Sequence, residues 1–84
     1  MATGTTIEVL YFAQVAEHMG LRRETQALEA PVQAGAWLDA LAARCPALGP
    51  SIRLKLAINQ EHAARTATIR PGDEVAVFEP VTGG

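Results

Sequence analysis

The sequence predicts an α+β fold: a mixed β-sheet with one main helix packed on one face, and a free C-terminal tail. Three features predict it. Runs rich in β-branched and aromatic residues stand near both ends of the 84-residue chain. A helical apolar stripe lies between them, and turn-forming residues separate the pieces. The length permits one domain, residues 1–84, with a core too thin to wall a deep, dry active site on its own.

The first run, Thr6 to Ala13, places Ile7, Val9 and Tyr11 on one face and Glu8, Leu10 and Phe12 on the other. Gln14 to Met19 suits a short helix stopped by Gly20. Glu24 to Glu29 alternates weakly around Thr25, Ala27 and Leu28, where a hairpin partner of the first strand belongs. Pro31 to Cys45 reads as the main helix, with proline in its first turn and Pro46 ending it. Trp37, Leu38, Leu41 and Cys45 form its apolar stripe, while Asp39 and Arg44 face water. Leu54 to Ile58 alternates as a strand and runs into the turn-former Asn59. Arg70-Pro71-Gly72-Asp73 predicts a type II turn that launches the last strand, Glu74 to Phe78, with Val75 and Val77 inward. Pro80 cannot continue a ladder and Gly83 and Gly84 have nothing to bury, so a mobile tail is expected over residues 79–84. Two hairpins flanking one helix let the first and last strands pair in parallel at the centre of the sheet, which is the β-grasp arrangement.

Composition narrows the function classes. With 49% hydrophobic and 19% charged residues the chain has the makings of a globular core, which a disordered segment lacks. Seven Lys and Arg are scattered against nine Asp and Glu, so no basic stripe offers itself to nucleic acid. No basic-then-apolar leader opens the chain, and no apolar run approaches the roughly 20 residues that span a bilayer. The lone Cys45 fits a reducing compartment, so the expected location is the cytoplasm. His18 and His62, with no second cysteine, make no zinc spacing, and no metal is expected. No nucleophile–base pair or phosphate-cradling loop appears, so the chain is not expected to be an enzyme by itself or to bind a cofactor.

Two features remain. A closing Gly83-Gly84 pair is either an unpacked end or a segment built to thread a narrow channel, where side chains would block the way. By strand parity Phe12 and Phe78 lie together on the outer face, near the tail, as a candidate partner patch. Cys45 ends an apolar stripe, away from any cation or helix N-terminus, and reads as a small buried hydrophobe rather than a reactive thiol.

Ile-Glu-Val-Leu-Tyr-Phe-Ala-Gln-Val (7–15), Ala-Ile-Asn-Gln (57–60), Pro-Gly-Asp-Glu-Val-Ala (71–76) and Pro-Val-Thr-Gly-Gly (80–84) resemble, in order and spacing, the small sulfur-carrying subunits of molybdopterin synthase. The resemblance covers the chain from Thr6 onward. Glu79 stands where such tails usually carry a proline, and residues 1–5 are an extension expected to be unstructured. The resemblance implies a ubiquitin-like β-grasp and a Gly84 carboxylate that is adenylated and converted to a thiocarboxylate. It implies that the tail, Pro80, Val81, Thr82, Gly83 and Gly84, enters a channel of the large catalytic synthase subunit, which does the chemistry on a pterin precursor. Phe12, His62 and Phe78 match positions used for partner contact. The implied partners are that large subunit, a ubiquitin-activating-type adenylating enzyme that uses ATP, and a sulfur donor protein. Carriers for thiamine, cysteine or tRNA thiolation, and ubiquitin-like protein modifiers, are the alternatives.

Overall fold

In the computed structural model, which describes residues 5–80, the first apolar run forms β1 (Thr6–Tyr11). It buries Ile7, Val9 and Tyr11, the parity the sequence predicts. Helix α1 (Ala13–Met19) follows and ends at Gly20, whose φ of 78° only glycine adopts at no cost. Strand β2 (Arg23–Ala27) returns antiparallel to β1. It lies one to two residues earlier than the Glu24–Glu29 expectation, and the half-buried residues on its core side are the polar Glu24 and Gln26.

The main helix departs from expectation at its start. Pro31 lies outside it, and Val32–Gln33 forms a two-residue strand, β3, before α2 (Ala34–Arg44) begins. The β-branched Val32 pairs with Ile69 and Gln33 with Thr68, both in β6 (Thr68–Ile69), so tertiary pairing overrides the proline signal. No side chain caps α2. Instead the Ala34 and Gly35 N–H groups donate to the carbonyls of Ala67 and Arg65, each at 2.8 Å. That approach leaves no room at Gly35: a Cβ there would lie 3.3 Å from Arg65 atoms. Trp37, Leu38 and Leu41 are buried as expected, whereas Cys45 is the C-cap residue and only half-buried.

Two 3₁₀ turns, Pro46–Leu48 and Ser51–Arg53, lead into β4 (Lys55–Ile58). Asn59 and Gln60, at φ 52° and 72°, make a two-residue loop of type I′ character and open β5 (Glu61–Ala63), a strand with no apolar alternation to announce it. The predicted type II turn is present: Gly72 has φ 95°, and the Asp73 N–H donates to the Arg70 carbonyl at 3.0 Å. It launches β7 (Glu74–Phe78), with Val75 and Val77 fully buried. The two turns are tied together, because Asn59 Nδ2 donates to Asp73 and the Glu74 N–H donates to Asn59 Oδ1, both at 3.0 Å.

The main sheet has the order β2-β1-β7-β4-β5, with β1 and β7 parallel at its centre and its other pairs antiparallel. This is the β-grasp topology. The α2 helix covers one face, and the core between them comprises Ile7, Val9, Val75, Val77, Leu54 and Leu56 from the sheet side and Leu38 and Leu41 from the helix. The opposite face is left open. Among the described residues no helix is long and apolar enough to cross a membrane.

Candidate functional site

Strand parity that sends Val9, Val75 and Leu56 into the core sends their neighbours to the open face. The register aligns Arg23, Leu10, Ala76, Ala57 and His62 in one row across all five strands. Two alanines therefore stand at the centre of the row, bracketed by Leu10 and His62. The next row toward the C-terminus pairs Phe78 with Lys55. Phe12 lies just past β1, and its N–H donates to the Val77 carbonyl at 3.2 Å, so it stands level with the end of β7. Its backbone is still extended; Ala13, at φ 51°, then turns the chain into α1.

Phe12 is 50% exposed. Phe78 is half-buried because its ring meets His62, with centroids 5.4 Å apart and planes tilted by 47°. The sequence pairs Phe78 with Phe12; the ring contact is with His62, which β5 brings over through its hairpin with β4. The three expected patch residues thus sit on one face, at the end of the sheet where β7 runs out. Charge frames the patch. Arg23 and Glu8 pair at 2.9 Å on the β2 side, with Thr25 also donating to Glu8, and Lys55 stands beside Phe78. An apolar aromatic centre with a polar rim is the anatomy of a protein interface.

The tail starts from this face. Glu79, expected to be free, is half-buried and ion-paired to Arg53 at 3.3 Å, which corrects the expectation at its first residue. Pro80 follows, exposed. Val81, Thr82, Gly83 and Gly84 lie outside the described residues, as do residues 1–4. Thr5, the last residue of the N-terminal extension, is tied down: its carbonyl accepts the Leu28 N–H at 2.8 Å. Four residues beyond Pro80 reach at most about 14 Å, at roughly 3.3–3.6 Å each.

Cys45 donates its Sγ–H to the His18 carbonyl at 3.4 Å, between α2 and α1, and packs against the core. Among the described residues no three His, Cys, Asp or Glu side chains come together as a metal site would require.

A polar network under the β1–β2 hairpin was not foreseen. The Tyr11 hydroxyl donates to Glu24; Arg44 donates to Glu24 at 2.6 Å, Gln26 to Glu24 at 3.2 Å, and Trp37 Nε1 to Gln26 at 3.1 Å. Burial first, then the Glu24 hydrogen bond and charge, push the Tyr11 hydroxyl far above its ordinary pKa, against the lowering effect of Arg44. Burial pushes the Glu24 carboxyl up, but hydrogen bonds from Tyr11, Arg44 and Gln26 and the Arg44 charge outweigh it and hold it below its ordinary value. The network clamps α2 to the sheet edge and faces away from the aromatic patch. The signal was present in the period-2 placement of Glu24 and Gln26, which gives β2 a polar inner side.

A family model described as the ThiS family matches residues 9–84. The molybdopterin synthase sulfur carrier subunit of Homo sapiens is 35% identical over 83 residues, covering 93% of this chain and 93% of that protein. The subunit of the same name from Aspergillus niger is 31% identical over the whole of both chains. Among solved structures, small archaeal modifier protein 1 of Haloferax volcanii superposes with a TM-score of 0.73 at 32% identity, covering 93% of this chain and all of that one.

Proposed function

The chain belongs to the ThiS family, and from that premise we propose that it is a sulfur carrier, the small subunit of a molybdopterin synthase, acting through the carboxylate of Gly84. The observation that carries the proposal is the continuity of the site: the patch of Phe12, His62 and Phe78 passes directly into the root of the tail at Glu79-Pro80. A partner that docks on the patch therefore has the tail at its edge, within about 14 Å of Pro80.

The chemistry follows from the group. A free carboxylate resists attack, because its charge and resonance must be given up. Adenylation by a partner turns it into a mixed anhydride: the carboxylate oxygen attacks the α-phosphorus of ATP and pyrophosphate leaves. A hydrosulfide ion released by the donor protein then attacks the carbonyl carbon, AMP leaves and a proton is lost, giving the thiocarboxylate with no change of oxidation state. In the large subunit the terminal sulfur attacks a carbon of the pterin precursor and displaces an oxygen substituent from it. Water then hydrolyses the resulting thioester, leaving the sulfur on the precursor and the carrier as a carboxylate. In this reading the partner binds the ATP, and this chain presents, positions and docks. A carrier with this division of labour binds no cofactor of its own and works in the cytoplasm.

A second reading, a ubiquitin-like protein modifier, is favoured by the 32% identity to small archaeal modifier protein 1 of Haloferax volcanii. The same adenylated Gly84 would then be attacked by a lysine amine instead of sulfur. Deleting Gly84 tests both readings at once, since it draws the terminal carboxylate back by one residue, about 3.3–3.6 Å, and leaves every described core residue in place. The expected result is loss of adenylate and thiocarboxylate formation with an unchanged melting curve. A deleted chain that still takes sulfur overturns the proposal, and lysine-linked adducts of the full chain without any thiocarboxylate would favour the second reading.

A further inference from the structure

We propose that Arg53 and Glu79 form a positioning pair that sets the direction in which the tail leaves the domain; the inference rests on the carrier reading above. Three constraints converge at residues 79 and 80. The β7 ladder ends with Phe78 opposite Lys55, and Pro80 has no N–H with which to prolong it. The proline ring restricts the residue before it to extended conformations, so the Glu79 backbone has little freedom. The Glu79 carboxylate is then held at 3.3 Å by Arg53, with the Glu79 side chain 23% exposed and the Arg53 side chain 64% exposed. The acid is tucked inward and the guanidinium lies over it from the solvent side.

The anchor is itself fixed. Arg53 belongs to the 3₁₀ turn Ser51–Arg53, its N–H donates to the Pro50 carbonyl at 3.1 Å, and the next residue, Leu54, is fully buried in the core. Position passes from the core through Arg53 to Glu79. Around the pair runs a groove lined by Ala13, Gln14, Ile52, Lys55 and Pro80.

The lever arm gives the pair its effect. An angular spread of about 20° at Pro80 moves the end of a tail some 14 Å long by roughly 5 Å. Transfer tolerates far less, since about 1 Å of misplacement costs about a hundredfold in rate. A partner must remove that spread when it encloses the tail, and a pre-aimed root leaves less to remove. A half-exposed ion pair is a modest device, so its loss is expected to lower kcat/KM for the carrier by about two- to fivefold.

The test uses the full chain with its activating enzyme, ATP and a sulfur source. Glu79→Gln and Arg53→Gln should each raise the carrier KM two- to fivefold with kcat and melting temperature unchanged. The double variant should lose no more than either single one, and the exchange of Arg53→Glu with Glu79→Arg should recover the wild-type value. High salt should narrow the difference between the wild type and the Gln variants. Unchanged KM, additive losses or a failed exchange would overturn the proposal. ¹⁵N relaxation of the Val81 amide in the free chain reads the aim without any partner: Glu79→Gln should lower its order, and equal order in both chains contradicts the proposal. If the wild type takes no sulfur, the carrier reading fails while the relaxation measurement still decides the role of the pair.

Discussion

Replacing Phe78 and its neighbour Val77 one at a time by alanine separates docking from folding within two adjacent residues. Val77 is fully buried between the sheet and α2. Val77→Ala removes two carbons at about 0.8 kcal/mol each and leaves a cavity, so a loss of about 2–3 kcal/mol is expected. At about 4–8 °C per kcal/mol for a domain of this size, the melting point should fall by roughly 10–20 °C. Phe78 points to the open face, and its recorded ring partner is His62. Truncating it forfeits that contact and its share of half-buried surface, about 1 kcal/mol. In the proposed complex Phe78 would lie at the centre of the patch, where truncating an aromatic anchor costs about 1–3 kcal/mol of binding, roughly 5- to 150-fold in Kd. Thermal melts and titration calorimetry against the large synthase subunit measure both effects. A Phe78→Ala chain with intact affinity and a melting point as depressed as that of Val77→Ala would refute the assignment of the open face as the docking surface.

The network at Glu24 predicts a pH signature. Its folded pKa lies below the unfolded one, so its stabilisation is complete above the ordinary glutamate value of about 4.3 and is lost as pH falls through the lower folded value. Glu24→Gln should therefore melt earlier at neutral pH and show a shallower acid-side slope, with Asp39, also held below its ordinary value by Ser51 and Arg65, keeping its share; a variant with the wild-type slope would contradict this. Cys45→Ala should keep full sulfur transfer at a packing cost of about 1–2 kcal/mol, and loss of transfer in a folded variant would move the chemistry from the carboxylate to the thiol.

The legible parts of the fold were those with a pattern of their own: β1, the body of α2, β4 and β7 carry their periodicity in their side chains, and Gly20 marks the end of α1. The parallel β1–β7 pairing followed from the order of elements. Strands β3, β5 and β6 did not show, because two or three residues such as Glu61-His62-Ala63 have no pattern of their own and exist through pairing. The start of α2 was misplaced for a related reason: Pro31 is a fair first-turn residue, yet Val32 gains more by pairing with Ile69. At the site, parity alone put Phe12 and Phe78 on the open face. The unannounced β5 decided that Phe78 stacks on His62, and the fold brought Arg53 to Glu79 from a 3₁₀ turn that no propensity marks. Gly84 is assigned by its motif, since it lies beyond the described residues.

The central claim is that sulfur travels on the Gly84 carboxylate. Its most direct test is the intact mass of the chain after incubation with the adenylating enzyme, ATP and a sulfur donor, with fragmentation to locate the change. The account predicts a mass increase equal to the exchange of one oxygen for one sulfur atom, confined to Gly84 and reversed on mixing with the large subunit and pterin precursor. An unchanged terminus, or sulfur found on Cys45, would contradict it.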